Sequence, residues 1–171
     1  MNRVIVITGP VQSGKTTLLM RIFKDRQDVY GFLCPDLEGQ RYFFDLGTKQ
    51  WMEFEVKGTP DFTDTFTVGK YSFRSEVFSL AKHMIDQAFI HSGSFFIIDE
   101  IGKLELKGQG LEPELSKMLH ERAPFNKTLI LVVRDYLLDE AIIRYNLYDI
   151  NIIHINDNDE LMKLISISSN D

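Results

Sequence analysis

The sequence has little of what marks several common classes of protein. Its 171 residues include one cysteine, Cys34, so no internal disulfide can form. Because no histidine lies nearby in the sequence to activate this thiol, we interpret it as a packed side chain rather than a nucleophile. The four histidines are too far apart for a zinc-binding spacing. No apolar run approaches the roughly 20 residues that span a membrane, and no signal peptide is evident. We therefore expect a cytoplasmic protein with no membrane partner.

Lysine and arginine are also fewer than aspartate and glutamate. The net charge is −6 and the isoelectric point is near 5.2, with the Lys and Arg residues scattered along the chain. Sequence-independent binding of nucleic acid depends on clustered Lys and Arg, so we expect no nucleic-acid partner. With 44% hydrophobic residues, the chain is long enough for one well-buried core. We predict a single domain over residues 1–171.

One glycine-rich run fits the phosphate-loop pattern Gly-x-x-x-x-Gly-Lys-Ser/Thr, also called Walker A. It follows an apolar β-type run at 4–8 and precedes an apolar stripe at helical spacing at 16–23. An ordinary glycine-rich turn would gain nothing from a lysine that opposes the helix dipole. The run therefore predicts a cradle for the triphosphate of a nucleotide, formed by Gly9, Pro10, Val11, Gln12, Ser13, Gly14, Lys15, Thr16 and Thr17.

Two side chains of this run have predicted roles beyond the backbone cradle. Lys15 would reach the β- and γ-phosphates as a point charge. Thr16 would place its hydroxyl on a magnesium ion that bridges those phosphates. Mg²⁺ is thus the predicted cofactor, and a nucleoside triphosphate is the predicted ligand.

A second motif, of the Walker B type, follows a buried apolar strand. The four large apolar residues at 95–98 run directly into Asp99 and Glu100. We predict that Asp99 holds the magnesium ion, through a coordinated water, and that Glu100 orients and deprotonates a water in line with the γ-phosphorus. Side chains alternate along a strand, so the two carboxylates need not crowd one ion. A strand that merely ends in a solvated turn is the alternative, which the upstream phosphate loop disfavours.

The order of apolar segments predicts an α/β fold. Strands are expected near 3–8, 29–34, 94–99, 128–133 and 151–155, and they alternate with helices expected near 15–26, 75–91, 112–122, 136–146 and 158–167. This alternation favours a mainly parallel, doubly wound sheet.

Residues 36–73 interrupt that alternation. They contain short aromatic-rich runs separated by glycine and proline, which predicts a β-hairpin insertion. We call residues 36–73 the insertion. Its aromatic side chains are expected to pack it onto the sheet. Alternatively, Arg41 or the pair Lys70-Tyr71 approaches the triphosphate or the base.

Several motifs together resemble those of the small P-loop nucleoside-triphosphatases related to the human cancer-related nucleoside-triphosphatase. The resemblance covers residues 4 to about 155 and rests on the phosphate loop, Gly31-Phe32, Gly39-x-Arg41-x-x-Phe44-Asp45, Val68-Gly69-Lys70-Tyr71 and Asp99-Glu100-Ile101-Gly102-Lys103-Leu104-Glu105-Leu106. It implies a three-layer fold of the RecA-like type. It also implies slow, magnesium-dependent hydrolysis of ATP, GTP and other nucleoside triphosphates, with Glu100 as the catalytic carboxylate.

The resemblance suggests further contacts with the nucleotide. In a RecA-like sheet the strand at 128–133 lies between the two Walker strands, so Arg134 would emerge beside the γ-phosphate. A loop arginine that pairs with Asp135 or Asp139 is the alternative. Lys103 would contact a phosphate, or else pair with Glu105. Arg144 is what remains of a later basic pair in the family, and whether it, Arg134 or a partner supplies charge to the transition state stays open.

Two other functions are compatible with the same motifs. One is a nucleotide or small-molecule kinase, although such enzymes generally need an arginine-rich lid that the sequence does not show. The other is a nucleotide-gated binding module, in which slow hydrolysis times a contact with a partner. No Asn/Thr-Lys-x-Asp motif is present, so strong selectivity for guanine is not expected.

Overall fold

A mixed sheet with a parallel centre organises the molecule. The computed structural model describes residues 3–58, 64–120 and 127–168. The parallel strands, in spatial order, are β11 (Asn151–His154), β1 (Arg3–Gly9), β10 (Thr128–Arg134), β9 (Phe95–Ile101) and β2 (Val29–Leu33). Strand β10 thus separates the strands that precede the two Walker motifs. Their carboxyl ends meet at one edge of the sheet, where open α/β sheets bind ligands.

Helices cover both faces of this sheet. They are α1 (Lys15–Phe23), α2 (Ser75–Asp86), α3 (Lys103–Leu106), α4 (Glu114–His120), α5 (Leu138–Tyr145) and α6 (Asn158–Ser168). Along β1, Val4 and Val6 belong to the core that includes α2, α4 and α5, whereas Ile5 and Ile7 belong to the core that includes α1 and α6. Because side chains alternate along a strand, β1 contributes residues to the cores on both faces of the sheet. The fold therefore has three layers, with the sheet between two layers of helices.

The insertion forms antiparallel strands in two groups. Strands β3 (Asp36–Leu37), β4 (Gln40–Asp45) and β5 (Trp51–Glu53) extend the central sheet, with β4 paired to β2. Strands β6 (Glu55–Val56), β7 (Thr65–Val68) and β8 (Tyr71–Arg74) form a small separate sheet. Phe54 lies 4.7 Å from Phe73 and 5.1 Å from Phe78 between ring centroids, so aromatic packing joins this small sheet to α2.

The predicted three-layer α/β fold and the RecA-like position of β10 are confirmed. The strand expected at 94–99 continues to Ile101, and the helix expected at 15–26 ends at Phe23. The last two residues of the helix expected at 112–122 lie outside the described residues. The short helix α3 was not predicted, because four residues are too few to show helical periodicity.

One buried polar contact fixes α5 against the segment before α4. Tyr145 is fully buried, and its hydroxyl donates to Glu112 Oε1 at 2.7 Å. Burial raises the pKa of Tyr145 well above its ordinary value, and the Glu112 carboxylate raises it further. The hydroxyl therefore keeps its proton and stays a donor. Glu112 also accepts from the Ser116 amide at 3.3 Å.

Tyr145→Phe is expected to lower the free energy of unfolding by about 1 to 3 kcal/mol, because Glu112 keeps its burial and loses its shortest hydrogen bond. Urea unfolding followed by circular dichroism measures the change. Tyr148→Phe is the matched control, since Tyr148 is 71% exposed. Equal urea midpoints for the two variants would contradict the assigned role.

Candidate active site at the carboxyl edge of the sheet

The phosphate loop joins β1 to α1 in the conformation that its sequence requires. Gly14 has a φ of 90°, a left-handed conformation that a residue with a Cβ adopts at a cost, and it forms the N-cap of α1. A glycine cap has no side chain to bond the first amides of the helix, which therefore remain available to an anion. The exposed side of the loop includes Val11, which is 53% exposed.

Lys15 is buried and directed back toward the loop. Its ammonium group donates to the carbonyl oxygens of Gly9 at 2.8 Å and Pro10 at 2.7 Å, and to Ser13 Oγ at 3.3 Å. Burial lowers the pKa of Lys15, while Asp135 and Asp99 raise it. Its acceptors in the loop are neutral, so a phosphate oxygen would be a stronger acceptor for the same cation.

Asp99 presents a buried oxygen with no partner among the described residues. Its Oδ2 accepts from the Cys34 amide at 2.8 Å, whereas Oδ1 accepts no hydrogen bond. Burial raises the pKa of Asp99, and the Cys34 amide and the neighbouring Thr16 hydroxyl lower it. A fixed carboxylate beside a hydroxyl is the oxygen donor set that suits Mg²⁺, which binds few protein ligands and keeps several waters.

A β-bulge places both Walker B carboxylates at the same opening. Ile98 pairs with Leu131 and Ile101 with Val133, so Asp99 and Glu100 together face one residue of β10. Glu100 has a φ of 68°, an uncommon conformation for a residue with a side chain. The expected strict alternation therefore fails at this point, because the extra residue re-aims Glu100. Both carboxylates line one cavity.

Glu100 lies between two arginines. Arg41 Nη1 donates to Glu100 Oε2 at 2.6 Å, and Arg134 Nη2 donates to Glu100 Oε1. Arg41 comes from the insertion and Arg134 from the end of β10, so both chain segments meet at this carboxylate. Arg134 therefore pairs with Glu100, and not with Asp135 or Asp139 as the alternative interpretation expected. Each of the three side chains is about one quarter exposed.

Other predicted residues take different positions. Lys103 is exposed, and its ammonium lies 5.7 Å from the centroid of the Tyr136 ring. Glu105 does not pair with it: Glu105 is buried and accepts from the amides of Gly102 at 2.9 Å and Leu111 at 3.3 Å. Arg144 contacts Glu112 at 3.7 Å rather than Glu100, so its place in the fold is structural.

Cys34 is a packed residue whose backbone serves the site. Burial raises the pKa of its thiol well above the ordinary value, and Asp99 adds to the effect, so the thiol is a poor nucleophile. Its amide instead orients Asp99, a contact that sequence reasoning missed. The signal is topological, because β2 pairs with β9 in the folded sheet, a neighbour relation that the sequence analysis did not predict.

Comparison with known families identifies the relatives of the chain. Residues 4–165 match the model of a family described as NTPase. The chain belongs to this NTPase family. No curated protein sequence matches the chain at a significant level.

Two solved structures share the fold of this NTPase. THEP1 from the hyperthermophile Aquifex aeolicus is 22% identical with a TM-score of 0.73, and the match covers 96% of this chain and 98% of that one. A human cancer-related nucleoside triphosphatase is 23% identical with a TM-score of 0.67, covering 96% of each chain. The suspected family relation is therefore confirmed. Among the described residues of the NTPase, no helix combines the length and apolar character needed to cross a membrane.

Proposed function

We propose that this NTPase hydrolyses nucleoside 5′-triphosphates, including ATP and GTP, to the diphosphate and phosphate with Mg²⁺, slowly and with broad tolerance of the base. The observation that carries the proposal is the Asp99-Glu100 bulge, which directs one carboxylate toward Thr16 and the other toward two arginines. Phosphoryl transfer needs little covalent chemistry from the protein, so positioning and charge are what the site must supply.

The roles divide between the phosphate loop and the end of β9. The loop amides and Lys15 would bind the β- and γ-phosphates, and Thr16 with Asp99 would hold Mg²⁺, which neutralises phosphate charge when bound. Glu100 would accept a proton from the attacking water and align it with the γ-phosphorus. The contacts of Lys15 with the loop carbonyl oxygens are ones that a phosphate oxygen would replace.

The two arginines are suited to the charge that develops during the reaction. Their present partner is the carboxylate of Glu100. A γ-phosphate beside Glu100 would compete for the same guanidinium groups, and their transfer to it would release Glu100 to act on water. Arg41 and Arg134 are thus proposed to stabilise the negative charge of the transition state. Arg144 contacts Glu112 instead and is not placed for this role.

Phosphate release tests the proposal directly. The purified chain, incubated with ATP, GTP, CTP or UTP and excess Mg²⁺, is expected to release phosphate from all four within roughly tenfold of one another, because no base-reading motif is present. EDTA is expected to abolish release. Release that needs an added acceptor would favour the kinase alternative, and release indifferent to EDTA would contradict the assignment of Thr16 and Asp99.

A further inference from the structure

A large cavity lies beside the proposed catalytic carboxylates. Its volume is about 560 Å³, within the range of small-molecule sites. Its walls come from the small sheet of the insertion, from α2 and from the segment 102–111. Asp99, Glu100, Arg41 and Arg134 are also among its lining residues. We call it the side cavity.

The side cavity is separate from the phosphate loop. None of residues 9–17 lines it. In the proposed function, Lys15 and Thr16 hold the β- and γ-phosphates and Glu100 faces the terminal one. Because Glu100 lines the cavity and the loop does not, the cavity would lie on the γ-phosphate side of a nucleotide held in the loop. The rest of the nucleotide leaves the γ-phosphate in the opposite direction, so an occupant of the side cavity is a second molecule.

The walls of the side cavity are apolar and largely aromatic. Phe32, Phe43, Phe54, Phe73 and Phe78 line it, together with Val77. Most of these side chains are buried in the core of the α2 face. Aromatic walls of this kind favour a flat or branched apolar group, which gains by leaving water.

Exposed cationic side chains line part of the side cavity. Lys70, Lys103 and Lys107 line it, are exposed, and form no salt bridge with any carboxylate in the described ranges. Of the three carboxylates that line the cavity, Glu100 is engaged by two arginines and Glu105 by two backbone amides. Asp99 accepts from the Cys34 amide through Oδ2 and has no partner for Oδ1 in the part of the chain that the structure describes. Five cationic side chains against three acidic ones leave the lining positively charged. This charge complements an anionic group.

We propose that the side cavity binds a second small molecule, one with an aromatic or branched apolar body and an anionic group, beside the γ-phosphate end of the nucleotide. The apolar body lies among the phenylalanines, and the anion faces Lys70 and Lys107. The position of this ligand relative to the nucleotide rests on the proposed function. Its binding does not, because the walls and lysines exist without a nucleotide.

Fluorescence of 1-anilinonaphthalene-8-sulfonate tests this site, because the dye combines an aromatic body with an anion. The folded chain is expected to bind the dye saturably and with one site per chain. Val77→Trp fills the cavity from α2 and is expected to weaken binding about tenfold or more. Ile143→Trp is the matched control, since Ile143 is 70% exposed and does not line the cavity, and it is expected to change nothing.

The role of the anionic group is tested separately. The substitutions used for this test are at exposed residues, so they are expected to leave the fold intact. N-phenyl-1-naphthylamine has the same aromatic body without the sulfonate and is expected to bind severalfold more weakly. Lys70→Gln combined with Lys107→Gln is expected to reduce binding of the sulfonate toward that level, whereas Lys163→Gln is not, because Lys163 does not line the cavity.

Three results would overturn the inference. They are dye binding that does not saturate, binding unchanged by Val77→Trp, and binding lost when Mg²⁺ and a non-hydrolysable ATP analogue are added. The last would mean that the nucleotide itself occupies the cavity. Phosphate release is measured independently, so absent hydrolysis with intact dye binding would count against the proposed function alone.

Discussion

Glu100→Gln is expected to lower phosphate release from ATP and Mg²⁺ by about 100- to 10,000-fold, the usual contribution of a general base. The amide keeps the size of the side chain but cannot accept a proton from water. Affinity for the nucleotide is expected to be unchanged or higher, because Arg41 and Arg134 lose their carboxylate partner and become available to the terminal phosphate. Single-turnover phosphate release and equilibrium nucleotide binding separate the two effects.

The control for Glu100→Gln is the same chemical change at an unrelated position. Glu140 lies exposed on α5, and Glu140→Gln is expected to leave both measurements unchanged. Thermal unfolding of both variants checks that they remain folded. Undiminished hydrolysis by folded Glu100→Gln would remove Glu100 from the role of base and leave the arginines as the main source of catalysis.

Gly31→Ala is expected to lower the free energy of unfolding by about 2–5 kcal/mol, through backbone strain of about 1–2 kcal/mol and overpacking of about 1–3 kcal/mol. Gly31 has a φ of +98°, and a Cβ there would lie 2.0 Å from the carbonyl oxygen of Ile97. That atom belongs to the backbone of β9, which cannot move without disturbing the sheet.

Gly39→Ala isolates the strain from the overpacking. Gly39 has a φ of +76°, and a Cβ there meets nothing within 4 Å, so only the strain of about 1–2 kcal/mol is expected to be lost. Urea unfolding of the two variants gives the comparison. If both variants lose the same stability, the close approach of β2 to β9 does not explain why residue 31 is a glycine.

Much of the fold could be predicted because the signals are local. The parallel strands are short apolar runs, and a strand at 128–133 between the Walker strands followed once the RecA-like order was expected. The phosphate loop is likewise a contiguous pattern whose strand and helix contexts are both visible in the sequence. The aromatic runs of the insertion predicted strands there, though not their division between two sheets.

The parts that escaped prediction depend on contacts between distant segments. No pattern within residues 95–101 indicates the bulge, because it is defined by pairing with β10. The Arg41–Glu100 contact spans 59 residues, and the contact from the Cys34 amide to Asp99 spans 65. A resemblance could mark Arg41 as a candidate, but only the folded insertion shows which carboxylate it meets.

Strand β4 has a further consequence for the behaviour of the molecule in solution. It pairs with β2, whose residues are mostly buried and would otherwise form the outermost strand on that side. A bare apolar strand of this kind is a template for addition of a second chain and for aggregation. The same segment that brings Arg41 to Glu100 therefore also covers the backbone edge of β2, and a shortened insertion is expected to expose that edge and to remove the arginine.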